Sequence, residues 1–189
     1  MTDPDHQIVE KVLAGNTGAF RMLVEKYQQP VINYLYRMIP NESDRQEICQ
    51  DVFLKAFRHL NQFRFDAKFS TWLFSIAYRR AIEVLRRKHV DTEDIAEHDA
   101  PDTADLEANY ASEATARLVA EAIKGLKPEE QTIISLFHLQ EMGIREVSEI
   151  IGKPEGTVKS DLFRIRKKLK DQLQAQLQAT DQPLQVGQL

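Results

Sequence analysis

Apolar positions along most of this chain recur every three or four residues, the spacing of amphipathic helices, and nowhere show sustained alternation with polar ones. Ile8, Val9 and Val12 predict a first helix that ends near Gly15. Phe20, Leu23, Val24 and Tyr27 continue the spacing, followed by Val31, Leu35 and Met38, with Pro30 set to bend or divide the segment. After a break at Pro40-Asn41, Ser43 and Gln46 offer a capping box for the next helix. That helix carries Ile48, Val52 and Ala56 in one apolar row and Cys49, Phe53 and Phe57 in the row beside it. Residues 59–70 read as a loop rich in aromatic and charged groups, before a helix from about Thr71 to Lys88.

The pattern vanishes from His89 to about Tyr110, where acidic residues mix with Ala, Thr and Pro101. Such a segment buries too little apolar surface to order itself, so it predicts a flexible linker. Helicity returns with Leu118, Val119, Ala122, Ile123 and Leu126. Pro128 then opens a helix whose first turn holds Glu129 and Glu130, where the helix dipole favours acids. Beyond Gln174 the Gln-rich tail is expected to fray. The fold class is all-α. Two small helical domains, 1–88 and 113–173, are joined by an acidic linker over 89–112 and followed by a tail over 174–189.

Residues 144–169 give this architecture a purpose. Ile144, Val147, Ile150 and Ile151 form one buried face, and Ser148 is small enough for close helix approach. Gly152 suits a left-handed helix end and Pro154 suits a helix start. Val158, Leu162, Ile165 and Leu169 then face inward, which leaves Lys159, Ser160, Phe163, Arg164 and Lys167 outside. Two amphipathic helices around a tight break, the second one cationic, are the pattern of a helix-turn-helix that reads duplex DNA. Lysine and arginine at such sites bond guanine edges or neutralise phosphates. The competing reading is a solvated, Lys/Arg-rich helix of a bundle. Turn chemistry, small packing residue and charge together favour DNA.

Composition supports this once it is resolved along the chain. The formal net charge is −4 over 189 residues, yet residues 1–88 carry +4, 89–110 carry −8, 111–152 carry −3 and 153–189 carry +3. Two basic blocks therefore flank an acidic strip, and local patches govern nucleic-acid contact. The single cysteine, Cys49, precludes an internal disulfide and fits a reducing cytosol. It reads as a helix-packing residue rather than a reactive thiol. No apolar run reaches the length of a membrane span, so no membrane insertion is expected, and Met-Thr-Asp-Pro-Asp-His is not a signal peptide.

A second basic helix carries Trp72, Leu73, Ile76 and Ala77, then Arg79-Arg80 and Arg86-Arg87-Lys88. Before it runs Asn61-Gln62-Phe63-Arg64-Phe65-Asp66-Ala67-Lys68-Phe69. Cations interleaved with aromatic rings suit single-stranded nucleic acid, where bases stack while charges hold the backbone. The same residues also suit a buried aromatic core with Glu83 bridging Arg79 and Arg87. For Trp72 both readings stand.

Three stretches now carry a resemblance. Glu47-Ile48-Cys49-Gln50-Asp51-Val52-Phe53-Leu54-Lys55-Ala56-Phe57 resembles the core-polymerase-binding helix of sigma factors of the sigma-70 family, in their compact extracytoplasmic-function group. Phe69-Ser70-Thr71-Trp72-Leu73-Phe74-Ser75-Ile76-Ala77 resembles that family's promoter-melting helix, and Gly156-Thr157-Val158-Lys159-Ser160 belongs to what resembles its minus-thirty-five reader. With the lengths between them, they cover most of residues 6–173. The resemblance implies that Glu47, Gln50, Asp51 and Leu54 dock on the coiled coil of the largest polymerase subunit, with a further contact to the flap. It implies that the minus-ten element is read by Asn61, Phe63, Arg64, Phe65, Lys68 and Trp72, with Arg79, Arg80, Arg86 and Arg87 beside them. Thr157, Lys159, Ser160, Phe163, Arg164 and Lys167 would read the minus-thirty-five element. The 61–71 loop would hold an extruded base, whose unstacking costs a few kcal/mol. The acidic linker would thread the RNA exit path.

The chain departs from the family where Arg79 replaces a usual asparagine, where Phe65 replaces a small residue, often Gly, and where Asp161 and Gln131 replace basic residues.

The function so implied is a non-enzymatic, cytoplasmic specificity subunit that binds core polymerase and promoter DNA, with an anti-sigma factor as a further partner. No catalytic group, cofactor or metal is called for. P-loop glycines and metal-ligand spacing are lacking, and the five histidines are scattered. The alternative is a regulator that binds DNA through residues 113–173 alone, with 1–88 as a sensor or dimerisation module.

Overall fold

A computed structural model describes residues 3–91 and 118–180. Its helices are α1 (Pro4–Leu13), α2 (Phe20–Tyr36), α3 (Glu42–Arg58) and α4 (Phe69–Asp91), then α5 (described over 118–124), α6 (Pro128–His138), α7 (Ile144–Ile151) and α8 (Glu155–Thr180). Short 3-10 turns occupy Thr17–Ala19 and Leu60–Gln62. Every described regular element is helical. The acidic linker lies almost wholly outside the described residues, as does the tail beyond Thr180.

Local chemistry sets the helix ends. The Asp3 carboxylate accepts the Asp5 N–H at 3.0 Å, and Pro4 fills the first turn of α1. The box expected from Ser43 and Gln46 is not used. Asn41 caps α3 instead, accepting the Asp44 N–H at 3.1 Å, so the helix begins at Glu42. Pro30 lies within a continuous α2 and does not divide it. It removes one intrahelical bond, but Val31, Tyr34 and Leu35 just beyond it are buried and hold the helix together. Gly152 ends α7 at φ 72°, the left-handed conformation that a residue without Cβ adopts freely. α8 then starts after Pro154.

The two halves are not held apart. α4 lies along α7, α2 meets α6, and a contiguous apolar cluster runs from Val9 through Ile165. Where α2 ends, the buried Tyr34 hydroxyl sits 3.3 Å from Thr132 Oγ1 on α6, which also contacts Met38 Sδ at 3.2 Å. Burial pushes the Tyr34 phenol well above its ordinary pKa. Helical periodicity says nothing of which faces of the two domains meet across the acidic strip.

Cys49 packs between α3 and α2, buried, and burial pushes its thiol up to about 11. A thiol so poor in thiolate is expected to resist iodoacetamide at pH 8 in the native protein and to react on unfolding. Mass spectrometry of the labelled protein checks this.

Candidate nucleic-acid and polymerase interfaces

α8 presents its outer face as expected. Val158, Leu162 and Ile165 are buried beneath it, while Thr157, Lys159, Ser160, Arg164 and Lys167 are exposed and Phe163 is 71% exposed. Lys159, Ser160, Phe163 and Arg164 line a shallow, open concavity. Ser160 Oγ donates to the Gly156 carbonyl at 2.9 Å, and Arg164 pairs with Asp161 one turn away. The α7–α8 turn is held by the Ser148 hydroxyl, which donates to the Lys153 carbonyl, so Ser148 both packs closely and braces the break. Lys153 in turn pairs with Glu129 of α6, which raises its pKa. Gln131, where the family resemblance leads to the expectation of a basic residue, points inward. Its amide donates to the carbonyls of Lys124 and Leu126 and so ties α5 to α6.

On α3, Glu47 and Gln50 are exposed and Leu54 is 52% exposed, off the buried rows of Ile48, Val52 and Ala56. Asp51 is half-buried. Its Oδ2 lies 2.7 Å from Arg80 Nε of α4 and 3.9 Å from Lys55 Nζ. The Arg80 contact is an ion pair whose N–H direction falls short of a hydrogen bond. Arg80 also pairs with Glu83 at 3.1 Å, and its side chain is only 15% exposed. Its charge is therefore spent on joining α4 to α3, not displayed to DNA. Glu83 bridges Arg80 and Arg87 rather than Arg79 and Arg87. Those cations hold its carboxyl below the ordinary range, the Arg80 hydrogen bond foremost. Arg79, Arg86 and Arg87 remain exposed.

The loop before α4 is an aromatic cluster. Phe63 is buried, with ring centroids 4.9 Å from Phe65, 5.9 Å from Phe69 and 5.6 Å from Trp72. Its faces are thus occupied by other rings, and it shapes the loop from within. Trp72 is half-buried, with one side in the cluster and part of its surface outside. Asn61, Arg64, Phe65 and Lys68 are exposed. Phe65 sits at φ 59°, where a side chain costs about 1–2 kcal/mol over glycine.

Lys68 does not point freely at solvent. Its Nζ lies 3.0 Å from Glu146 Oε1 of α7, and Thr71 Oγ1 donates to the same oxygen at 3.3 Å. The other Glu146 oxygen accepts the Gly143 N–H at 2.8 Å, capping α7. Burial raises the Glu146 pKa, but these bonds outweigh it and hold the carboxyl below its ordinary value. Nothing in the local sequence marks this pair, which joins positions far apart in the chain.

Known proteins resemble this chain over most of its length. Residues 23–90 match the Sigma-70 region 2 family and residues 116–169 match Sigma-70, region 4. The chain is 32% identical over 181 residues to the ECF RNA polymerase sigma-E factor of Haemophilus influenzae, spanning 90% of this chain and 95% of that one. This chain belongs to the extracytoplasmic-function sigma factors of the sigma-70 family. It is also 30% identical over 184 residues to the sigma-E factor of Escherichia coli K12, spanning 90% and 94% of the two chains. The solved structure of CnrH in complex with the cytosolic domain of CnrY shares the fold, with a TM-score of 0.70 at 22% identity over 92% of this chain and 99% of that one. A second, the sigma factor RpoE in complex with the anti-sigma factor NepR from Bartonella quintana, has a TM-score of 0.70 at 19% identity, over 82% and 96%. The protein is thus a promoter-recognising sigma factor for RNA polymerase. No helix among the described residues is long and apolar enough to cross a membrane, and no cluster of three His, Cys, Asp or Glu among them is arranged to hold a metal ion.

Proposed function

We propose that the two halves of this sigma factor divide the work as follows. Residues 1–88 bind core polymerase through α3 and read and open the minus-ten element through the 61–71 loop and α4. Residues 113–173 read the minus-thirty-five element through α8. The segment over 89–112 links these two domains and 174–189 follows them, with α8 itself continuing to Thr180 rather than fraying at Gln174. Exposure of every outward residue of α8 over a buried Val158-Leu162-Ile165 row is the observation that carries this reading. Exposed Leu54 beside Gln50 gives α3 an apolar contact within a polar rim, the general anatomy of a protein–protein interface. Two weak contacts on one tethered chain reinforce each other through effective concentration. Such a subunit performs no bond-making chemistry and works in the cytoplasm, where the polymerase is. RpoE was solved with the anti-sigma factor NepR and CnrH with the cytosolic domain of CnrY, which supports an anti-sigma factor as a further partner here.

The reading-loop cation Lys68 must exchange Glu146 for a phosphate before it can hold DNA. An ion pair with a lysine this exposed contributes no more than about 1 kcal/mol, so the exchange is easy. Glu146→Gln keeps an acceptor for the Gly143 N–H but drops the charge. It is expected to raise the free protein's affinity for single-stranded DNA by roughly threefold, read by fluorescence anisotropy at low salt, consistent with that magnitude. Because the Glu146 pKa is depressed, its contribution to domain contact is full above the ordinary value of 4.5 and disappears as the pH falls through the lowered one.

Reconstitution with core polymerase tests the division of labour. Strand opening by holoenzyme should leave permanganate-reactive thymines at the minus-ten element. Holoenzyme that binds a selected promoter but never opens it would refute the role given to the 61–71 loop.

A further inference from the structure

His6 lies on α1, ahead of the Sigma-70 region 2 match that begins at residue 23. Its Nε2 is 3.0 Å from the Ala67 carbonyl, across 61 positions of sequence. A carbonyl only accepts, so this nitrogen carries the proton. The same ring meets Phe63 and Phe65 edge-on, with centroids 5.4 Å and 5.3 Å away. The segment it grips includes Phe65, whose positive φ disfavours any side chain. The loop therefore holds a strained shape while its own sequence prefers another, and α1 supplies one hydrogen bond and two ring contacts that favour the strained one. α1 is itself anchored. Its buried Asp5 pairs with Lys26 of α2 at 2.6 Å and accepts from the Tyr27 hydroxyl, and Tyr27 in turn packs on Phe69.

We propose that His6 is a positioning residue for minus-ten recognition, fixing the Phe63–Ala67 backbone so that the loop presents one shape to an extruded base. This rests on the reading of the 61–71 loop as the base holder. It places a determinant of promoter selectivity on the N-terminal helix. The requirement for His6 follows from Phe65, since a glycine at that position would reach the same φ without a clamp.

The test compares wild type, His6→Ala and His6→Gln as full-length protein. Gln retains an N–H donor at a similar reach but has no ring. Trp72 is the sole tryptophan and reports the cluster directly. Acrylamide quenching of its emission is expected to rise about twofold in His6→Ala and less in His6→Gln. In holoenzyme, selection from promoter duplexes randomised across the minus-ten element should show base preference at one position falling severalfold for His6→Ala, with partial recovery for His6→Gln. Binding to the minus-thirty-five duplex should change by less than twofold. Unchanged quenching and selectivity in His6→Ala would overturn the proposal. So would an equal loss of minus-thirty-five binding, which would make His6 a folding residue only. Raised quenching with unchanged selectivity would instead overturn the base-holding assignment of the loop, separating the two ideas.

Discussion

Leu54→Asp is expected to weaken binding to core RNA polymerase about thirtyfold, the effect of about 2 kcal/mol from an unpaired charge pressed into an apolar contact, while the protein stays folded. The side chain is 52% exposed on α3, so a carboxylate there remains in water in the free protein and costs the fold little. In the complex the same carboxylate would be buried against an apolar pocket, where an unpaired charge is costly. Gln50→Ala, also at an exposed site, should cost less. Asp51→Arg would not be a clean test. It would set a guanidinium against Arg80, which the Asp51 carboxylate holds at 2.7 Å, and loosen α4 from α3. Titration of labelled protein with core enzyme, alongside thermal melts of each variant, reads both effects. Leu54→Asp that melts normally and binds core as tightly as wild type would refute the docking role of α3.

Lys159→Ala and Arg164→Ala should each weaken binding to a cognate minus-thirty-five duplex, by about 1–3 kcal/mol for whichever residue reads a base. Both side chains lie on the exposed face of α8, so neither change should disturb the buried Val158-Leu162-Ile165 row. The two are not equivalent. Arg164 is paired with Asp161, whose carboxylate is largely buried, and must give up that partner to bond a guanine. Lys159 has no such partner among the ion pairs of the described residues and is free to take a phosphate. Arg164→Ala is therefore expected to relax sequence preference at one position. Lys159→Ala is expected to weaken all duplexes alike and to reduce the salt slope by about one. Phe163, 71% exposed on the same face, suits a thymine methyl, and its replacement by Ala should lower selectivity without altering salt dependence. Equal losses on cognate and random duplexes for all three variants would reduce α8 to a phosphate-binding surface.

The helix-turn-helix was readable because its signals are local. Gly152, Pro154 and the spacing of Val158, Leu162 and Ile165 each dictate conformation within a turn or two, and the structure follows them. The exposed stripe of α3 was readable for the same reason. One local signal misled, and one had left two outcomes open, of which division did not occur. Ser43 and Gln46 match a capping pattern, but Asn41, just after Pro40, caps α3 earlier and removes the need for them. Pro30 is a helix breaker by propensity, yet tertiary packing of α2 outweighs the one bond it costs. What stayed hidden were contacts between distant residues. Periodicity cannot show that Arg80 turns to Asp51, that Glu146 holds Lys68, or that His6 reaches the Ala67 carbonyl. The left-handed backbone at Phe65 was hidden too, because a bulky residue carries no local signal for a positive φ.

The most direct measurement is run-off transcription by core polymerase reconstituted with this chain, on a promoter selected from random DNA and on versions with one element scrambled. The account predicts a transcript only with the sigma factor present, reduced strongly by scrambling either element and abolished by scrambling both. Transcription that persists with either element scrambled, or depends on the minus-thirty-five element alone, would contradict a two-site grip by two helical domains.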